Sequence, residues 1–256
     1  MKNFTLRIVA VALLVTLARY GVAAPVPEET KAAMGSMTVA ELESAGDTAR
    51  GQKDYSQAMT YYLAALRKDK NNWELYNKLG MAEQQKNELR AARMDFDKAA
   101  KHNPKSAVPI NNIGSVEYQN KNYSSAAKYF KKAIALDETM ATFHVNLGAA
   151  WFSLGSVDRA LAEYTRALEL DPDALNSGSR TGVMAQVTTL EEQARYSYML
   201  AKIYARRGDL DNALRSLKKA KEEGYRNLAS VYKEQDFAKM WQDPQLHELV
   251  TPPASK

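Results

Sequence analysis

A 34-residue period constrains this chain more than any other feature. Asn77-Lys78-Leu79-Gly80 is followed by Asn111-Asn112-Ile113-Gly114 and then by Val145-Asn146-Leu147-Gly148, so glycines stand at 80, 114 and 148. Twelve residues after each glycine comes an alanine: Ala92, Ala126 and Ala160. Four further on comes an aromatic (Phe96, Phe130, Tyr164), and three after that a second alanine (Ala99, Ala133, Ala167). The units close on Asn103-Pro104, Asp137-Glu138 and Asp171-Pro172. A fixed period of this length specifies an array of stacked units, each burying its apolar face against a neighbour. Pro104 and Pro172 cannot continue a helix interior, so a helix ends at or just before each.

This pattern resembles the tetratricopeptide repeat (TPR), with its Leu-Gly, Ala, aromatic and Pro positions in register over several units. The resemblance implies an all-α fold, a right-handed α-solenoid of about five TPR helix-turn-helix repeats. Each repeat is then two amphipathic helices, A and B. The Leu-Gly pair and the later alanine sit where the helices cross, because only small residues let the backbones approach. The aromatic is expected to fill the space between one unit and the next.

Taken in order, residues 1–24 read as a secretory signal peptide. Lys2 and Arg7 precede a mostly apolar run from Ile8 to Leu17, Arg19 ends it, and Gly21, Ala23 and Ala24 follow. That run is far shorter than the roughly 20 residues a spanning helix needs. Cleavage after Ala24 leaves Pro25 just past the cut; cleavage after Ala23 avoids this. The alternative is an uncleaved anchor. Residues 25–37 read as a flexible leader.

Thr38 and Glu41 form an S/T-x-x-E capping box that starts a helix. A weaker first repeat follows, with Ala45-Gly46, Ala58, Tyr62 and Ala65 in register and Lys70 in place of the closing proline. Repeats one to four occupy 38–172. Residues 173–187 read as an insertion loop, and a fifth repeat occupies 188–224 with Leu200-Ala201, Tyr204, Gly208, Ala213, Leu217 and Ala220. Ala213 lies 53 residues past Ala160, which is 19 more than one period. Either helix A of this repeat is extra long, carrying the stripe Val183, Val187, Leu190, Ala194 and Ala201, or Thr188 and Glu191 form a second capping box and the helix begins near Leu190. Residues 225–256 carry a different pattern, Tyr225, Leu228, Val231, Tyr232, Phe237, Met240, Trp241, Leu246 and Leu249, and then a short tail. This resembles the C-terminal cap that follows TPR arrays in many exported bacterial proteins, with Phe237 and Trp241 as its core.

Composition supports a folded chain: 45% hydrophobic and 25% charged residues argue against extensive disorder. The formal charge of +5 falls to +2 once Lys2, Arg7 and Arg19 leave with the signal, and no long Lys/Arg run exists. Nucleic acid is therefore not an expected partner. The sequence has no cysteine, which removes disulfides, thiol nucleophiles and lipidation of the lipoprotein type.

Catalytic motifs are missing. His102, His144 and His247 are not paired at metal-ligand spacing, and His247-Glu248 lacks the second histidine of a zinc-protease motif. No G-x-S-x-G, P-loop or dinucleotide fingerprint occurs. Asp209 is expected to cap a helix, and Asn122-Tyr123-Ser124 fits a glycosylation sequon. The expectation is a non-enzyme with no cofactor and no metal.

Binding remains, and here the resemblance supplies the candidates. In TPR proteins, helix A lines a concave groove, and carrying its ligand-facing positions over names Asn77, Met81 and Gln84 in repeat two. Repeat three contributes Asn111, Ser115, Tyr118 and Gln119; repeat four Thr142, Val145, Ala149 and Phe152; repeat five Arg195, Tyr198, Lys202 and Arg206. Amides suit an extended peptide backbone, Tyr118 and Phe152 form a shelf for an apolar side chain or a sugar ring, and the basic residues suit a carboxylate. The alternatives are packing aromatics and a solvated basic face. The carboxylate clamp of chaperone-binding members is absent, because Glu43 and Asp47 occupy its first-repeat lysine and asparagine positions. The reading is an exported, periplasmic or secreted protein without a stable membrane span in its mature form. It holds a protein or peptide segment, or alternatively a glycan, or regulates an envelope enzyme.

Overall fold

The computed structural model describes residues 34–175 and 189–252. The expected signal peptide, most of the leader, residues 176–187 of the insertion and the end of the tail lie outside these residues. The described chain is helical, with no strand among the described residues, and is built from helix-turn-helix units. Helices α1 (Val39–Gly51), α3 (Trp73–Gln85), α5 (Ala107–Gln119), α7 (Ala141–Ser153) and α9 (Leu190–Arg207) take the A positions. Helices α2 (Tyr55–Lys68), α4 (Leu89–His102), α6 (Tyr123–Leu136), α8 (Val157–Leu170) and α10 (Leu210–Glu222) take the B positions. Two 3-10 helices, Leu228–Tyr232 and Gln235–Met240, and the short α11 (Pro244–Leu249) complete the chain. The molecule forms two compact units that divide between Val116 and Glu117.

In the first unit, small residues set the helix crossings. A Cβ on Gly46 would run into the ring of Tyr62, and one on Gly80 would lie 2.8 Å from Phe96 Cε1 and 3.1 Å from the Ala92 carbonyl oxygen. Ala58, Ala65, Ala92 and Ala99 have no exposed surface. Tyr62 fills the space toward the next repeat as expected, sharing a core with Leu75, Leu79 and Ala82, and the repeat aromatic also lies against the glycine of its own helix pair. The reason is geometric: glycine leaves a gap one ring thick at the A–B crossing, and the large side chain that faces it comes from helix B of the same repeat. The second unit repeats the arrangement: a Cβ on Gly148 would lie 3.0 Å from the Tyr164 ring, and Ala160 and Ala167 are fully buried.

Helix ends follow from local chemistry. Thr38 and Glu41 form the expected capping box at α1. At α9 the box is Thr189 with Glu192, one residue later than Thr188 with Glu191, and the helix starts at Leu190. The doublets Thr188-Thr189 and Glu191-Glu192 satisfy the motif in both registers, so spacing alone cannot choose between them. Asp209 caps α10, accepting from the Asn212 amide at 3.2 Å. Thr189→Ala is expected to cost about 1 kcal/mol by leaving the Glu192 amide of α9 unsatisfied, read as a lower urea midpoint at unchanged slope.

The A-to-B turns share one backbone device. Lys53, Asn87 and Lys121 each hold φ 62, and Gly155 and Gly208 hold φ 74 and 79. In each turn, the amide after this residue donates to a carbonyl five residues back, as from Asp54 to Ala49 and from Ser156 to Trp151. The left-handed residue reverses the chain in two or three residues, which keeps the helices of each repeat antiparallel and adjacent.

The C-terminal segment completes the second unit's core. Phe237, Met240 and Leu246 have no exposed surface and join Ala213, Leu217 and Ala220 of α10 and Ala201 and Ala205 of α9. Trp241 is partly buried at the edge of this cluster, its indole N–H donating to the Val231 carbonyl at 2.8 Å.

Candidate functional site

The A helices of the first unit carry a row of polar contacts between successive repeats. Lys78 Nζ reaches Glu43 Oε1 and Asp47 Oδ2, both at 2.6 Å. Tyr62 donates its hydroxyl to Asp47 Oδ1 at 2.8 Å. Burial pushes the Asp47 carboxyl up, but the hydrogen bonds from Lys78 and Tyr62 outweigh it and hold the group below the usual carboxylate range. Further along, Asn112 donates to Asn77 Oδ1 at 2.9 Å and Asn111 donates to Asn112 Oδ1 at 3.3 Å. Asn77 in turn donates to Met81 Sδ at 3.7 Å.

These contacts sort the first unit's candidates. Asn77, Asn111 and Ser115 are nearly buried, their exposure being 8%, 6% and 8%. Asn77 joins helix A to helix A through Asn112, Asn111 supports that contact from within its own helix, and Ser115 donates to the Asn111 carbonyl. Met81 and Gln84 keep partial exposure on the same helix.

In the second unit the aromatic pair separates. Tyr118 has no exposed surface; its hydroxyl meets Ser153 Oγ at 2.8 Å and its ring leans on Tyr123 at 5.1 Å. Phe152 is half-buried and packs edge-on against Tyr196 at 5.3 Å. Tyr118 thus offers no ring face, and the two do not make an open shelf; the packing alternative describes them. Gln119 is exposed one residue on. Thr142 is half-buried, while Val145 and Ala149 are core.

The basic end differs most from expectation. Lys202 Nζ lies 2.7 Å from Glu234 Oε2 and 3.4 Å from Asp236 Oδ2. Arg206 grips Asp236 with Nε and Nη2. Tyr198 donates to Glu234 Oε1 at 2.8 Å, and its ring stacks on Tyr225 at 4.2 Å. Burial opposes ionisation of Glu234, but Lys202, Tyr198 and Ser230 overcome it and hold the carboxyl low. Asp236 is likewise held low by Arg206 and Lys202 against burial. The carboxylates expected from a ligand are therefore supplied by the chain itself. Arg195 stays exposed and forms no ion pair among the described residues. It helps to line a hollow of about 380 Å³ with Ala194, Glu223, Tyr225 and Arg226.

Sequence reasoning missed the pairing of Lys78 with Glu43 and Asp47, and of Lys202 and Arg206 with Glu234 and Asp236. One signal was present: each pair joins opposite charges 30 to 35 residues apart, close to one period. Residues one period apart stand side by side on neighbouring repeats.

Among the described residues, no group of three or more His, Asp or Glu is placed to hold a metal ion, and no helix is long and apolar enough to cross a membrane. His144 bridges Glu163 Oε2 at 2.8 Å and the Glu138 carbonyl at 3.3 Å, joining α7 to α8.

The geometry defines a helical repeat protein with lateral polar ladders on its A helices. Comparison with known families matches residues 44–107 and 111–174, and separately 194–223, to the tetratricopeptide repeat. The chain belongs to the tetratricopeptide repeat family. Among curated proteins it is 23% identical to the Hsp70-Hsp90 organizing protein of Triticum aestivum over 207 residues, 80% of this chain and 34% of that protein. It is 35% identical over 74 residues to the mitochondrial import receptor subunit TOM70 of Saccharomyces cerevisiae, covering 29% of this chain and 12% of that protein. The chain thus spans about a third or less of these relatives. Of solved structures, it resembles MamA of Desulfovibrio magneticus, with TM-score 0.51 at 18% identity, covering 74% of this chain and 96% of that one. A thermophilic TPR protein of Thermus thermophilus gives TM-score 0.51 at 19% identity, covering 75% and 94%. At these identities the likeness is one of fold.

Proposed function

We propose that this protein is a non-catalytic interaction scaffold, exported from the cell, that holds a segment of another protein against its A helices. The observation that carries the reading is membership of the repeat family together with the polar A-helix surface. Met81 and Gln84 in one unit, and Gln119 in the other, keep exposure beside residues locked into the lateral ladders. A row of fixed amides flanked by accessible ones suits main-chain recognition, because each amide offers both a donor and an acceptor. Two relatives whose names describe an organizing protein and an import receptor subunit support a protein partner. The C-terminal segment acts in this reading as a cap that closes the last apolar face of the array. Export rests on residues 1–24, and the mature chain works in the periplasm or outside the cell. A role as accessory subunit of an envelope enzyme is a narrower form of the same reading. The glycan reading has lost its aromatic shelf.

The test is photo-crosslinking in cells from Gln84 and, separately, from Gln119, followed by mass spectrometry. One dominant protein attached at either position, and lost when Met81 is replaced by Glu, is the expected result. Crosslinks to no protein from both positions overturn the scaffold reading.

A further inference from the structure

The α3–α4 pair encloses two acids with too little positive charge for both to ionise. Glu83 on α3 is 7% exposed and Asp95 on α4 is 6% exposed. The Asp95 carboxyl lies within hydrogen-bonding reach of Glu83, and Glu83 Oε2 is buried with no hydrogen-bond partner among the described residues. The compensating charge is Lys98, whose Nζ lies 2.6 Å from Asp95 Oδ1. That ammonium is itself held over the ring of Tyr76 at 5.2 Å, with His102 stacked behind the ring at 5.5 Å. The other charge acting on Glu83 is a further acid, Glu88 in the turn, which has Lys86 as its own partner at 2.8 Å. Two facing carboxylates out of water repel, whereas a carboxylic acid beside a carboxylate makes a strong hydrogen bond.

We infer that Glu83 and Asp95 share one proton across α3 and α4, and that releasing it loosens this helix pair, so that the first unit carries a built-in response to rising pH. The proton resides on Glu83, because the Lys98 ammonium lies against Asp95 Oδ1 and not against Glu83. Burial first, and Asp95 second, push the Glu83 carboxyl up to about 8. The folded chain then binds one more proton than the unfolded chain between the ordinary glutamic acid range and about 8. Stability in that window falls as pH rises, by up to about tenfold in the folded-to-unfolded ratio per pH unit, and levels off above it. Below the window both states are protonated and the contribution is fully present. Glu83 neighbours Gln84, so the same loosening acts on the exposed polar surface of α3.

The experiment is hydrogen exchange of α3 and α4 amides in the full chain, with urea denaturation, from about pH 5 to about pH 9. After correction for intrinsic exchange, protection of this pair is expected to fall with rising pH. Glu83→Gln keeps a donor toward Asp95 but cannot ionise, and its protection is expected to stay flat across the range. Asp95→Asn removes the facing charge, and the slope is expected to shrink; it provides the same test if Glu83→Gln does not fold. A flat profile for the parent chain overturns the inference, and so does an unchanged slope in Glu83→Gln.

Discussion

Phe237→Ala is expected to destabilise the second unit by about 3–5 kcal/mol, the cost of truncating a fully buried aromatic. Phe237 has no exposed surface, and its ring lies 5.7 Å from that of Tyr198 within the cluster that joins α9 and α10 to the C-terminal segment. Its removal leaves a cavity bounded by side chains from three elements, which cannot collapse together. Urea denaturation should show a markedly lower midpoint, and exchange protection should fall first in α10 and the 3-10 helices. A midpoint unchanged from the parent would mean that the segment is an appendage and not part of the core.

Gly80→Val is the second large effect, expected to cost about 1–3 kcal/mol by overpacking, of which the better helix propensity of valine over glycine offsets only a few tenths. Two neighbours oppose the new side chain. Phe96 is fully buried and has no room to turn, and the Ala92 carbonyl is backbone and cannot turn aside. Gly51 provides the contrast, since a Cβ there meets nothing within 4 Å. Gly51→Ala should therefore be neutral or stabilising by up to about 1 kcal/mol through helix propensity. Comparing the two thermal midpoints separates a glycine required by close approach from one that is merely tolerated.

The repeat was legible because its small residues are required by geometry. Gly46, Gly80 and Gly148 face an aromatic across a crossing that admits no Cβ, so composition at those positions is nearly forced. The turns were not legible, although Lys53, Asn87, Lys121 and Gly155 recur at the same 34-residue interval. A left-handed backbone costs a lysine about 1–2 kcal/mol that glycine avoids, a cost the packed helix pair can offset, so the residue type varies while the conformation does not. The A-helix surface was only partly legible. Register locates a residue along its helix, but positions about 100° apart around the axis divide into those facing the next repeat and those facing outward. Tyr118 and Tyr198 fall on the lateral side because Ser153 and Glu234 await them about one period later. Spacing within a single repeat does not reveal that pairing.

The self-contained ion pairs of the C-terminal segment also govern how fast a charged partner can arrive. Left unpaired, Lys202 and Arg206 would project a positive field that draws acidic molecules in from beyond contact range. With Glu234 and Asp236 seated on them, that field closes on itself within a few ångströms. Encounters at this end are then governed by diffusion and shape, and their rates should respond little to ionic strength.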